Sequence, residues 1–174
     1  RLVLFFLIVI NTLLFAQSEI DTSFYYIELL NKKYTLNEIV EKNNQNLFST
    51  LPADQSKFGF TDSIFWIKVN SKNSSQVEKT RILELSHPSL DYIDIYELED
   101  QQLVLKKELG DLRVYDKSTF MPNPNYEFVV SPGQEKVFFI KIVSTGTLNI
   151  GTTVQDANVY NIYSRTQTKW RSFN

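Results

Sequence analysis

Aromatic and acidic side chains alternate along one segment of the chain, from Asp91 to Leu98. Because successive residues of a strand point to opposite faces, Tyr92, Asp94 and Tyr96 would share one face. Rings that stack on the C–H patches of a sugar, beside a carboxylate that binds its hydroxyls, make an apolar surface with a few placed polar groups. The pattern indicates a ligand-binding platform. The alternative is that the tyrosine rings cover the edge of the core and keep their hydroxyls in solvent.

Trp66 is a further aromatic candidate for the same platform. It lies in the middle of the run from Ile64 to Asn70, on the same face as Lys68. The opposite face of this run is apolar throughout, so Trp66 either presents its ring to a ligand or fills the core. Packing is the commoner role of so large a side chain.

A second group of candidates lies on an irregular segment, 112–125, where prolines force extended backbone. Binding residues often sit on loops that a rigid scaffold holds in place. We therefore expect this segment to contribute to ligand binding, and the alternative is an ordinary solvated loop. The candidates are Tyr115, Lys117, Asn123 and Asn125.

The chain offers little for catalysis or metal binding. It has no cysteine and a single histidine, His87, which excludes thiol nucleophiles, zinc fingers and sites built from several imidazoles. Asp91 and Asp94 leave a strand on opposite faces, so they do not form the carboxylate pair of a hydrolase. Asp62 beside Ser63 is typical of a turn. We expect no enzymatic activity, no metal and no cofactor.

Composition and charge narrow the class of protein. Hydrophobic residues make up 43% and charged residues 22% of 174 residues, which is typical of one globular domain. The formal net charge is −2, and the basic residues are scattered. Nucleic acid is therefore not an expected partner, since binding it needs a concentrated basic surface.

The elements that would hold these candidates are short strands that recur about every ten residues, a spacing typical of a sandwich or barrel. One helix competes with them. Thr35 and Glu38 have the spacing of a capping box, which predicts a short helix over 36–43. The predicted strands are 24–29, 64–70, 81–86, 91–98, 102–109, 126–130, 137–143 and 148–154.

Both termini suggest a place outside the cytoplasm. Residues 1–16 combine a charged start, an apolar stretch and a small final residue, which predicts a secretory signal peptide and export to the periplasm. The alternative is an uncleaved anchor, for which the apolar stretch is short. The last residues, 161–174, carry Trp170 among basic residues and form either a juxtamembrane segment or a disordered tail.

The order of several landmarks resembles a known family over roughly residues 24–160. The chain is similar to the second type of extracellular domain of bacterial seven-transmembrane receptors with diverse intracellular signalling modules. The landmarks are FGFTDSIFW at 58–66, Asn73, LEL at 83–85, Pro88, LDYIDIY at 90–96, Gly110-Asp111, FFIKI at 138–142 and STGTL at 144–148.

The resemblance implies a jelly-roll β-sandwich similar to carbohydrate-binding modules, placed in the periplasm before seven membrane helices. It also implies a cytoplasmic diguanylate cyclase or histidine kinase, and ligands that are carbohydrates or other small molecules. This chain departs from the family pattern where the family often has arginine and His-Arg, because it has Lys117 and Met121-Pro122-Asn123 there. Lysine presents a point charge and arginine a planar, bidentate group, so the two bind acidic groups differently. An acidic ligand shared with the rest of the family therefore does not follow.

Together these observations predict an all-β protein with a jelly-roll β-sandwich and one short helix near the N-terminus. The predicted divisions are a signal peptide at 1–16, a strand, helix and connector at 17–57, a sensor sandwich at 58–160 and the tail at 161–174. The expected function is a periplasmic ligand-sensing domain of a membrane receptor, with a small molecule or carbohydrate as ligand and membrane helices and a signalling module as partners. The alternatives are a periplasmic sandwich that binds a protein, and a secreted carbohydrate-binding module.

Overall fold

The computed structural model describes residues 20–29, 33–51, 56–113 and 123–162, and these form mainly antiparallel β-strands. Strands and helices are numbered in chain order. They are β1 (Ile20–Leu29), α1 (Leu36–Asn44), β2 (Ser49–Thr50), β3 (Lys57–Phe60), β4 (Ile64–Asn73), β5 (Lys79–Leu85), β6 (Tyr92–Glu99), β7 (Gln102–Leu109), β8 (Asn125–Val130), β9 (Glu135–Val143), β10 (Thr147–Asn149), β11 (Thr152–Asp156) and α2 (157–162).

Two sheets form the layers of a sandwich. The large sheet has six strands in the order β2-β1-β4-β9-β6-β7, and the small sheet has three in the order β11-β5-β8. A two-stranded sheet, β10-β3, adds to the same core. The chain passes from β4 to the small sheet at β5, returns at β6, and crosses again at β8 and β9. This confirms the predicted β-sandwich, with the repeated crossing between layers that a jelly roll has.

The inner core lies between the two sheets. The period of two in β4 places Phe65, Ile67 and Val69 on the inner face, where all three are fully buried. They pack with Leu83 and Leu85 of the small sheet in one apolar cluster. The alternation that predicted these strands therefore also identified the face that is buried between the layers.

A second core lies on the outer face of the large sheet, beneath α1. The capping box forms as predicted: the backbone N–H of Thr35 donates to Glu38 Oε2 at 2.8 Å, and the N–H of Glu38 donates to Thr35 Oγ1 at 3.3 Å. Ile39 and Val40 of α1 are buried in one cluster with Trp66. The large sheet is thus covered on both faces over part of its area.

Some elements differ from the sequence prediction, which included neither β2 nor β3. The predicted strand 148–154 is two strands, because β10 pairs with β3 and β11 pairs with β5. Strand β1 pairs with β4 along its whole length, so it belongs to the large sheet of the sandwich. The helix α2 was not predicted. The proposed signal peptide at 1–16 and residues 163–174 of the predicted tail lie outside the described residues.

Candidate functional site

The strand β6 presents Tyr92 and Asp94 on the outer face of the large sheet. The register places Asp94 beside Lys141 of β9, and Lys141 beside Trp66 of β4. Tyr92 is 41% exposed, whereas the side chain of Asp94 is largely buried. Lys141 Nζ lies 4.0 Å from Asp94 Oδ2. Two neighbouring strands, β6 and β9, therefore bring an exposed ring, a carboxylate and an ammonium group to one face of the sheet. The alternation in β6 predicted this for the ring and the carboxylate.

Arg113 completes this group of side chains. Its Nη2 donates to Asp94 Oδ1 at 2.5 Å, and its Nη1 lies 3.1 Å from Glu108 Oε1. The guanidinium carbon lies 5.6 Å from the centre of the Tyr92 ring, a cation–π distance. Sequence reasoning missed Arg113, because a single arginine on an irregular segment has no spacing signal. Its role is visible only from its contact with Asp94.

A glycine allows Arg113 to reach β6. Gly110 follows β7 with φ of 128°, and a Cβ added there would lie 2.2 Å from the carbonyl oxygen of Asp91. The chain after it folds back against the start of β6, where the N–H of Asp111 donates to Leu90 O at 2.8 Å. No other residue type fits this backbone contact without movement.

The Asp91 side chain fixes the same end of the sandwich from another direction. Its Oδ2 accepts hydrogen bonds from the backbone N–H and the hydroxyl of Thr145, both at 2.8 Å. Asp91 thereby joins the loop after β9 to the start of β6. The residue is a structural tie beside the candidate site.

Tyr96 and Trp66 are buried, so neither offers an exposed ring. Trp66 is 2% exposed and Tyr96 is 9% exposed, and their ring centres lie 5.7 Å apart beneath α1. Burial raises the pKa of Tyr96, and the charge of Asp94 raises it further. The expected platform of exposed rings is therefore corrected: Tyr92 is exposed, whereas Tyr96 and Trp66 pack, because α1 covers this part of the sheet.

Asn123 and Asn125 lie on the other side of the sandwich, at the small sheet. Asn123 Nδ2 donates to Glu84 Oε1 at 3.1 Å, and Asn125 Nδ2 donates to the carbonyl oxygen of Asn123 at 3.0 Å. Tyr115 and Lys117 lie outside the described residues. The structure thus separates the predicted candidates into two groups on opposite outer faces, and it does not bring Asn123 to Tyr92.

Comparison with known proteins identifies the family. The family profile described as 7TMR-DISM extracellular 2 matches residues 21–156, which is most of the chain. The chain belongs to this family. The suspected resemblance is confirmed, and the 7TMR-DISM extracellular 2 domain is the extracellular, sensor-type part of a membrane receptor. Within the residues that the structure describes, no helix is long and apolar enough to span a membrane.

Comparisons with curated proteins and with solved structures give, respectively, no match and only distant structural similarity. No curated protein matches the chain. Among solved structures it is similar to a beta-glucosidase from Kluyveromyces marxianus in complex with glucose, at 11% identity and a TM-score of 0.38, over 82% of this chain and 16% of that one. It is also similar to the GH31 alpha-xylosidase from Xanthomonas citri, at 11% identity and a TM-score of 0.33, over 76% of this chain and 15% of that one. The chain thus spans a small part of either enzyme.

Proposed function

We propose that this 7TMR-DISM extracellular 2 domain senses a small, uncharged, polyhydroxylated molecule at the group formed by Tyr92, Asp94, Glu108, Arg113 and Lys141, here named the Tyr92 site. The observation that carries the proposal is the contact of Arg113 with both Asp94 and the exposed Tyr92 ring. It fixes an aromatic surface beside a carboxylate on a rigid sheet, the combination that a sugar ring with hydroxyls requires.

The charges of the Tyr92 site favour a neutral ligand. Two cations, Arg113 and Lys141, are matched by two carboxylates, Asp94 and Glu108. A ligand with a net charge would bring an uncompensated charge to a partly buried surface, which is costly. A ligand hydroxyl can instead donate to Asp94 Oδ2 and accept from Lys141 Nζ, because these two atoms are 4.0 Å apart and not tightly paired. A carbohydrate meets these requirements.

The ligand would act by shifting a conformational equilibrium of the receptor. Binding can bias the receptor only by the difference in affinity between its two arrangements, so the domain must hold the ligand differently in each. We propose that the signal passes to the membrane helices and from them to a cytoplasmic diguanylate cyclase or histidine kinase. We also propose that the ligand leaves chemically unchanged, as expected of a sensor that is not an enzyme and uses no cofactor.

Thermal unfolding in the presence of a ligand panel tests the proposal. Neutral mono- and oligosaccharides, organic acids and amino acids are added to the purified domain. A ligand at about 100 times its dissociation constant stabilises a one-site protein by about 2.7 kcal/mol. We expect stabilisation by a neutral sugar, and we expect NMR of the recovered ligand to show no product. Stabilisation by a protein partner alone, with no response to any small molecule, would favour the protein-binding alternative.

Two variants localise the binding. Tyr92→Ala removes the exposed ring, and we expect at least a tenfold loss of affinity, because each 1.4 kcal/mol corresponds to about tenfold. Tyr25→Ala is the matched control, since Tyr25 also lies against a cation, with Lys68 Nζ 5.4 Å from the ring centre. It is outside the Tyr92 site, on β1, which β4 and β9 separate from β6 in the large sheet. Equal losses of affinity in the two variants would contradict the proposed site.

A further inference from the structure

Phe60 is the most exposed large apolar side chain among the described residues, at 82% exposure. Phe58, two residues earlier in β3, instead packs against Phe65 of the inner core, with ring centres 4.7 Å apart. Residues two apart share a face in a regular strand, but Gly59 between them has φ of 69°. The glycine thus turns Phe60 away from the core and into solvent, while the pairing of β3 with β10 holds its backbone in place.

Leu112 is a second exposed apolar side chain at the same end of the sandwich, at 60% exposure. Thr147, the partner of Phe60 in β10, lies two residues after Thr145. Thr145 is bonded to the Asp91 carboxylate, and the carbonyl oxygen of Asp91 accepts a hydrogen bond from the N–H of Leu112 at 3.3 Å. A continuous series of strand pairing and hydrogen bonds therefore fixes Phe60 and Leu112 relative to each other.

The loops around these two side chains are acidic. Four loops that the structure describes lie at this end of the sandwich, namely 61–63, 86–91, 110–113 and 144–146. Asp62 and Asp111 are exposed in them and form no ion pair with any described residue. Arg113 is the only lysine or arginine in these loops, and it is already paired with Asp94 and Glu108. Unpaired negative charge beside exposed apolar side chains favours a partner that carries positive charge.

The chain enters and leaves the sandwich at the opposite end. Ile20, the first residue of β1, pairs with Asn73 at the end of β4. Strand β11 ends at Asp156, which pairs with Arg81 near the start of β5. The four loops therefore lie away from the start of β1 and the end of β11, and a partner can approach them without meeting either.

We propose that Phe60, Asp62, Asp111 and Leu112, here named the Phe60 surface, dock a cationic, amphipathic peptide segment of another protein. Apolar side chains of the segment cover Phe60 and Leu112, and its lysine or arginine groups pair with the two carboxylates. Exposed apolar side chains bordered by polar groups are typical of protein interaction sites, and complementary charge selects the partner. The Phe60 surface shares no side chain with the Tyr92 site, so this docking is a function in addition to the sensing of a neutral ligand.

A synthetic helical peptide of leucine and lysine tests the docking, and the same peptide with glutamate in place of lysine is its control. Fluorescence anisotropy measures the binding of each labelled peptide to the purified domain. We expect the Leu/Lys peptide to bind, and Phe60→Ser to weaken its binding by at least about tenfold, since an aromatic anchor is lost. Val77→Ser is the matched control variant, because Val77 is 58% exposed but lies between β4 and β5 at the opposite end. It should leave the affinity unchanged.

A second variant tests the charges. We expect Asp62→Asn combined with Asp111→Asn to weaken binding of the Leu/Lys peptide by at least about threefold and to make it less sensitive to salt. Asp100→Asn, in the turn between β6 and β7, is the control and should change neither quantity. Urea unfolding of each variant shows that the fold is retained, as expected for exposed positions.

Four results would overturn the proposal. They are no binding of the Leu/Lys peptide, equal binding of the Leu/Glu peptide, equal losses in Phe60→Ser and Val77→Ser, and self-association of the domain that Phe60→Ser abolishes. The last would show by analytical ultracentrifugation that the surface binds a second copy of the chain. None of them bears on the Tyr92 site, and a sugar panel without any response would refute the proposed function while leaving the peptide result standing.

Discussion

Replacing Gly110 by alanine should displace the loop that carries Arg113, and so disturb the Tyr92 site without removing any of its side chains. Gly110 has φ of 128°, a conformation that L-residues with a side chain rarely adopt. A Cβ there would lie 2.2 Å from the carbonyl oxygen and 2.8 Å from the carbonyl carbon of Asp91, and 2.9 Å from Cα of Tyr92. All three are backbone atoms, so no flexible side chain can give way.

The loss of stability can be worked from these contacts. A residue other than glycine in a sparsely populated backbone region costs about 1–3 kcal/mol. Movement of the loop would also weaken the backbone hydrogen bonds from Asp111 to Leu90, at 2.8 Å, and from Leu112 to Asp91, at 3.3 Å. Each is worth about 1 kcal/mol. We therefore expect Gly110→Ala to lower the free energy of unfolding by about 3 kcal/mol.

Gly133→Ala is the matched control for this experiment. Gly133 also has a positive φ, of 72°, but nothing lies within 4 Å of an added Cβ. We expect it to cost only the backbone strain, about 1–2 kcal/mol. Urea unfolding measures both free energies, and NMR of the Arg113 guanidinium and the Tyr92 ring reports their contact. Equal destabilisation by the two substitutions, or an unchanged contact in Gly110→Ala, would refute the role assigned to Gly110.

Three other predictions follow from burial and hydrogen bonding. Trp66→Ala should lower the free energy of unfolding by about 3–5 kcal/mol, as measured by urea unfolding, because it leaves a cavity in a buried core. Tyr92→Ala should lower it by less than about 1 kcal/mol, because Tyr92 is exposed. Asn73→Ala should cost about 2–4 kcal/mol in the same assay, since the fully buried amide donates to Val77 O and Val130 O, both at 2.8 Å, and the substitution removes both hydrogen bonds. The raised pKa of Tyr160 stabilises the fold fully below about pH 10, the unfolded value, and this contribution is lost as the pH rises above it. Tyr160→Phe should therefore flatten the alkaline fall of the urea midpoint, and parallel falls in both proteins would contradict the assignment.

Local patterns predicted much of the fold. The alternation in β4 placed Phe65 and Ile67 on one face and Trp66 on the other, and the structure has them so. The Thr35 and Glu38 capping box located α1 to within one residue at its end. These predictions hold because they depend on backbone periodicity and on hydrogen bonds between residues close in sequence.

Features that depend on partners distant in sequence were harder to predict. The alternation from Leu148 to Val154 predicted one continuous strand. In the structure Leu148 lies in β10, which pairs with β3, and Val154 lies in β11, which pairs with β5. Likewise α2 was missed, because its one buried face is set by the Ile82 surface beneath it. The hydrophobic pattern of a short segment does not indicate which strand or sheet it will pack against.

The sequence by itself determined that the chain is a β-sandwich and that it resembles a family of receptor sensor domains. It also determined that one face of a single strand carries Tyr92, Asp94 and Tyr96. Only the tertiary structure decided which of them meets solvent. The helix α1 covers Tyr96 and Trp66. The close backbone contact at Gly110 lets the loop after β7 bring Arg113 to Asp94. The physical reason is that strand periodicity fixes which side chains point together, whereas the element that packs over that face comes from elsewhere in the chain.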